Sequence, residues 1–466
     1  MQYIPLGANA YSADTYGLPA LKLENWYAEA AGDRVDRPYR LIPAPGLSSF
    51  ATGLNGAVRG LFQADGLLSG DIIAAAGLRV YRVNSSGTPT EVGTITGTDG
   101  VSFAGSQLDC VMTAGGTAYK VDTGSIASIT VGASTGDIVD CAEIAQRHVF
   151  LEDGTGRFWW SDPADATTVE NTSFATAETE PDNLLALHVY GDTVFLFGTQ
   201  STEGWASTGD TVTPFVRRPG FAVNKGIMGR DAVASADFGL FIVADDGIVY
   251  RFDGMQPRRI STHTIERLLE DVATADRVSV RVSAHQWGGH TFVGVHMPGV
   301  GDYFYDVATQ TWHRRREINA TRYLSHAFIE KDGDVFAGDA TAGSIYQARR
   351  DVYTHNGNAV RRVATAIVPV EDTRPVVANV TVELMTGVGL LTGQGSDPQV
   401  LLRYSRDGRT WSQELTRSFG KIGDYLTRAI FGMLGRFSPP VMLLEVAVSD
   451  PVPATVTGLA VDRVKS

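Results

Sequence analysis

An internal repeat constrains this chain more than any other feature. One apolar strand leads through a Gly/Asp turn to a second, and then to a strand carrying an aromatic, as in Asp71 to Tyr81, Leu108 to Tyr119 and Gly239 to Tyr250. Weaker copies run from Val149 to Phe158, Val194 to Trp205, Thr291 to Tyr305 and Asp334 to Tyr346. The seven anchors Tyr81, Tyr119, Phe158, Trp205, Tyr250, Tyr305 and Tyr346 stand 38, 39, 47, 45, 55 and 41 residues apart. A spacing of about 45 suits a four-stranded propeller blade. Such a blade has two apolar faces that only neighbouring blades can bury, and closing the ring removes the last exposed ones. The expected fold is therefore all-β, a seven-bladed β-propeller over residues 56–353. The anchors should share one strand rank, with Tyr81, Tyr119 and Tyr250 buried between blades. A long β-meander sandwich is the competing architecture.

Beyond Tyr346 the aromatic beat stops. Thr354–Ala359 reads as a polar linker, and longer strands such as Val376–Leu384 and Val441–Val448 indicate a β-sandwich over 361–466. Residues 1–55 read as an extended lead-in able to lend an outer strand to the propeller. One helix interrupts the repeats. Ile265, Leu268, Leu269 and Val272 form an apolar stripe within Thr264–Val272, suited to packing on the rim or, alternatively, to binding a partner.

The 51 glycines and 19 prolines are scattered as turn punctuation, and 43% hydrophobic residues suffice for a large core. A net charge of −13 argues against broad gripping of nucleic acid, because phosphate neutralisation needs clustered Lys and Arg. Short basic runs at Arg217-Arg218, Arg258-Arg259, Arg314-Arg315-Arg316, Arg349-Arg350 and Arg361-Arg362 are isolated, and suit solvated rims or subunit contacts. Cys110 and Cys141 lie in apolar strands, where they should be buried and reduced. Neither a signal peptide at Met1–Leu6 nor a run of 18 apolar residues is found, so a soluble protein folded in a reducing cytoplasm is expected.

Motifs for chemistry are few. There is no phosphate loop or nucleophile elbow, and no catalytic, cofactor-binding or metal-binding residue is assigned. His285 and His290 flank a Gln-Trp-Gly-Gly turn and read as surface histidines rather than metal ligands. Asp245-Asp246-Gly247 and Lys331–Asp334 read as hairpin turns. Ser405–Trp411 is similar to the Asp-box turn of sialidase propellers but lacks one residue between Asp407 and Gly408. Asp407 would then hold the turn backbone while Trp411 packs beneath it. This leaves a glycan-binding or glycan-hydrolysing propeller as the alternative function.

A set of ordered motifs points elsewhere: Phe158–Pro163, Ala177–Asp182, Val194–Gly198, Ser201–Trp205, Ser207–Gly209 and Lys225–Gly229, with Pro45-Gly-Leu, Val58-Arg-Gly60 and Arg403–Glu414. In order and spacing the chain resembles the packaged-DNA stabilisation family of short-tailed phages. The resemblance implies a non-enzymatic tail-hub subunit of the virion, assembled in the host bacterial cytoplasm. It implies a ring, a hexamer of self, beneath the portal and head-to-tail adaptor, closing the DNA exit and carrying the tail needle and tailspikes or fibres. DNA would pass through that ring without sequence-specific contact.

Overall fold

The computed structural model describes residues 2–6, 21–32, 38–177, 182–237, 239–254, 256–369, 376–407, 410–437 and 441–464. Seven four-stranded antiparallel units follow one another from Val58 onward. Blade 1 comprises Val58–Phe62, Ile72–Ala76, Arg79–Val83 and Pro89–Thr94; blade 2 begins at Ser102, blade 3 at Ile138, blade 4 at Leu184, blade 5 at Val233, blade 6 at Arg281 and blade 7 at Ser325. The first strands of neighbouring blades touch around the circle, including blade 7 against blade 1, so they line a central channel. Blade 7 takes its fourth strand, Gly46–Thr52, from near the start of the chain, paired with Ser344–Arg349. The seven-bladed propeller is borne out.

All seven anchors sit on the third strand of their blade. Tyr81, Tyr305 and Tyr346 are buried against the preceding blade. Phe158 is the exception. It faces blade 4, while its neighbour Trp159 fills the seam toward blade 2 and donates to Glu152 Oε2 at 2.9 Å. Successive strand residues point to opposite faces, so choosing the first aromatic of Phe-Trp-Trp slipped the register by one. Tyr119 and Tyr250 are only half-buried, contrary to expectation. The Tyr250 hydroxyl donates to Asp246 at 3.0 Å, which draws that ring to the blade edge.

The helix, α1 (His263–Glu270), spends its stripe on the molecule's own core. Ile265, Leu269 and Val272 are buried with the apolar strands of blades 5 and 6, leaving no apolar face for a partner. Cys110 and Cys141 are free and buried, in the seams of blades 1–2 and 2–3. Burial pushes the Cys110 thiol up to about 12, and the Cys141 thiol well above its ordinary value.

A β-sandwich follows. One sheet orders Trp26–Ala30, Tyr39–Pro43, Val456–Val464, Val376–Leu384 and Ala429–Arg436, while Gln2–Tyr3 also pairs with Val456–Val464. The other runs Arg362–Pro369, Val441–Val448, Gln399–Ser405 and Leu415–Ser418, and continues into blade 6 through Leu23–Glu24. Within residues 1–55, then, strands serve both domains. Glu24 pairs with Arg314 of blade 6 on one side and Val363 of the sandwich on the other. Asn25, in the left-handed region at φ 54°, donates to the carbonyls of Arg316 (3.0 Å) and Arg361 (2.8 Å) and accepts from Arg316 N (3.1 Å). Trp26, fully buried, donates its indole N–H to Ala454 O at 2.9 Å. These pairings join the two domains.

Candidate functional site

The centre of the propeller channel is built by the segment Lys225–Asp231, which joins blades 4 and 5. Two glycines decide its path. A Cβ on Gly226 would fall 2.3 Å from the Thr199 carbonyl carbon, and one on Gly229 would fall 2.3 Å from Val278 O, so the segment lies directly on other backbones. That course delivers Arg230 and Asp231 into the lumen. Arg230 donates to Gly100 O (2.5 Å) and Val139 O (3.1 Å), reaching the segment just before blade 2 and the first strand of blade 3. Asp231 accepts from Arg281 of blade 6 at 2.7 Å, and Arg281 donates to Arg59 O of blade 1 at 3.1 Å. Arg59 in turn donates to Asp99 O at 2.7 Å and Gly77 O at 2.9 Å.

These residues cross the lumen and divide it into cavities of about 820 and 590 Å³, which share Arg230, Asp231, Arg281 and His326 as a wall. Burial pushes the Asp231 carboxyl up, but Arg281 and Arg230 outweigh it and hold it below the usual carboxylate range. Burial lowers His326 to about 3 and His188 to about 4, so both stay neutral at pH 7. Asp140, which lines the smaller cavity, is raised by burial to about 6. Three arginines do converge here, as a carboxylate-binding site would require. Their N–H groups, however, are spent on backbone carbonyls and Asp231. The arrangement is a brace that ties the connection between blades 4 and 5 to blades 1, 3 and 6 and obstructs the propeller's own lumen.

The seam between blades 6 and 7 corrects two expectations. His285 and His290 are buried rather than surface residues. They lie on the strands flanking the turn, where His285 stacks on Phe328 of blade 7 and His290 bonds Asp306 at 2.8 Å. Arg315, expected on a rim or subunit contact, is fully buried between the rings of Phe292 and Phe304, 4.6 and 4.3 Å from their centroids. It donates to His313 Nε2 and His285 Nε2, both at 3.1 Å. Arginine cannot accept, so both imidazoles are neutral and accept through Nε2. Its neighbours Arg314 and Arg316 pair with Glu24, and Arg362 is buried at the sandwich junction, donating to Tyr353 O at 2.9 Å. Within blade 6, Ser283 Oγ bonds His296 Nε2 at 2.7 Å and His296 Nδ1 bonds Asp302 at 2.8 Å. Asp302 also accepts from Tyr323 N. All three are buried, and a Cβ on Gly294 would lie 2.8 Å from Ser283 Oγ, so the chain of bonds staples three strands in a tightly filled space.

The remaining runs and turns follow the expected chemistry. Arg217, Arg258 and Arg259 are exposed on the outer strands of blades 4 and 5, where charge and proline guard an open sheet edge. Asp246 accepts from Ile248 N at 3.1 Å, and Gln347 donates to Asp334 at 2.7 Å. Asp407 accepts from Thr410 N at 2.7 Å, and Trp411 is half-buried with Arg403 over its ring at 4.8 Å. Gly408 and Arg409 of that turn, and Glu178–Pro181 of the Ala177–Asp182 motif, lie outside the described residues.

A braced all-β propeller joined to a sandwich defines a two-domain β-protein. Residues 4–353 match the family model described as Bacteriophage P22 Gp10, beta-propeller, and residues 360–463 match Bacteriophage P22 Gp10, beta-sandwich. The chain belongs to the Bacteriophage P22 Gp10 family, as the ordered motifs implied. It is similar to the tail hub protein gp10 of Salmonella phage P22, at 23% identity over 227 residues, 45% of this chain and 48% of that protein. The chain thus spans about half the length of the curated relative it matches. Among solved structures, the computationally designed Ika8 protein covers 75% of this chain and 99% of its own at 15% identity and TM-score 0.41. BamB from Moraxella catarrhalis covers 66% and 94% at 12% identity and TM-score 0.39. Both scores are too low to bear on the fold.

Proposed function

We propose that this chain is a structural subunit of a phage tail hub. It sits in the virion tail after assembly in the host cytoplasm and works without catalytic residues, cofactor or metal. In this reading a propeller over 56–353 and a sandwich over 361–466, with residues 1–55 shared between them, form a sixfold ring below the portal and adaptor. The ring closes the DNA exit, stabilises packaged DNA and carries the needle and the tailspikes or fibres.

The observation that carries the reading is the match of both domains to one phage family. The obstructed lumen supports a further point. DNA would pass through the middle of the ring of subunits and not through a propeller, along acidic surfaces that do not hold phosphate. Six copies would carry about −78, so free subunits at low salt should stay largely monomeric and close their ring on the adaptor. Electron microscopy of the protein alone and with a portal–adaptor complex tests this. Sixfold rings on the complex are expected; a chain that never joins it removes the hub reading. Cleavage of a sialoside panel would support the glycan alternative instead.

A further inference from the structure

The sandwich carries a concentration of exposed apolar side chains that the fold does not use. The loops 385–398 and 419–428 lie together at one end: Thr386 Oγ1 donates to Tyr425 O at 2.9 Å, and Gly423 N donates to Gly387 O at 3.2 Å. Gly387 matters here, because a Cβ on it would lie 2.4 Å from the Tyr425 ring that crosses it. From this end Leu391 (83% exposed), Tyr425 (71%) and Leu426 (93%) project into solvent. The apolar surface continues down Ala429–Arg436, the last strand of its sheet, through Ile430 and Met433. A concentration of exposed apolar side chains of this kind signals a contact site.

Its charge identifies the contact. On a chain of net −13, the segment Leu415–Arg436 holds Arg417, Lys421, Arg428 and Arg436 against a single acid, Asp424. An apolar crest with a basic collar fits an acidic protein surface, and the rest of this chain is one.

We infer that this crest docks on the acidic surface of a second copy of the chain, forming the subunit contact of the ring. The inference rests on the hub reading. A head-to-tail contact of this kind joins two different surfaces and closes into a ring when the rotation permits. The crest supplies the apolar centre of the contact and the collar supplies its orientation.

Sedimentation equilibrium of the full chain, at low salt and at about 0.5 M salt, where repulsion between acidic bodies is screened within a few ångström, tests it. The wild type should self-associate at the higher salt. Tyr425→Asp with Leu426→Asp should weaken that association by about tenfold or more, and Lys421→Glu with Arg428→Glu by about threefold. Val212→Asp, at a propeller position 81% exposed, should leave it unchanged. Each variant must keep the wild-type melting curve, as substitutions of exposed side chains should. Equal association of wild type and crest variant, or a wild type monomeric throughout, overturns the inference. So does flotation with anionic phosphatidylglycerol vesicles that only the crest variant loses, which would assign the crest to lipid. Failure of the hub reading looks different: neither wild type nor variant would join a portal–adaptor complex.

Discussion

The seam between blades 2 and 3 and the seam between blades 6 and 7 each join two four-stranded blades, with opposite chemistry. The first is filled by Val111, Cys141, Phe150 and Trp159, with His148 its single buried imidazole. The second holds Arg315 among His285, His313 and Tyr323, with no carboxylate among the described residues bonded to the guanidinium. A mostly apolar seam depends little on pH, whereas a polar one stands only while every group keeps its protonation state. The polar seam belongs to the blade whose outer edge continues into the sandwich.

Removing the largest side chain should separate the seams most clearly. Trp159→Ala is expected to cost about 3–5 kcal/mol in chemical denaturation at pH 7, since it opens a cavity and leaves Glu152 without its indole partner. A loss below about 1 kcal/mol would mean that the first seam is not close-packed.

Acid should act mainly on the other seam. Burial, then Arg315, hold His285 and His313 well below 6.5, so both are neutral when folded and take up protons when unfolded. The stability they allow is present above pH 6.5 and is lost as pH falls below it, by about 1.4 kcal/mol per pH unit for each imidazole. His148, lowered to about 4 by burial, adds one such group to the first seam. Arg315→Met should cost about 1–3 kcal/mol at pH 7, by leaving two imidazole nitrogens unpartnered. Denaturation curves of the wild type at pH 7, 6 and 5 and of the variant at pH 7 check both, and a wild-type stability that does not fall between pH 6 and 5 refutes neutral imidazoles in this seam.

These residues also show what the sequence reveals. The propeller is legible because the repeat recurs along the chain, and the third-strand rank of all seven anchors needed no knowledge of contacts. Trp159 was missed because consecutive aromatics hide which one faces the seam. His285 and His290 were misread because residues beside a Gly-Gly turn look exposed, and the strand pairing that buries them is not local. Arg230, Asp231 and Arg281, which cross the channel, carried no signal beyond the glycines of Lys225–Gly229.

Smaller effects sharpen the comparison further. Asn25→Ala removes three hydrogen bonds at the domain joint and should cost about 1–2 kcal/mol, seen as earlier proteolysis between residues 353 and 361 while the first seam stays intact. Asp407→Ala, in an exposed turn remote from both seams, should lower stability by less than about 1 kcal/mol, measured as a shift in melting temperature.

The strand Gly46–Thr52 also sets a timetable. Its partner Ser344–Arg349 is made roughly 300 residues later, which at about 5–20 residues per second is a wait of some 15–60 seconds on the ribosome. Until then the circle of blades stays open and the early strand has no edge to join. Closure is therefore a late, long-range step, and an interrupted chain ending before residue 344 would present two unsealed blade faces to its neighbours.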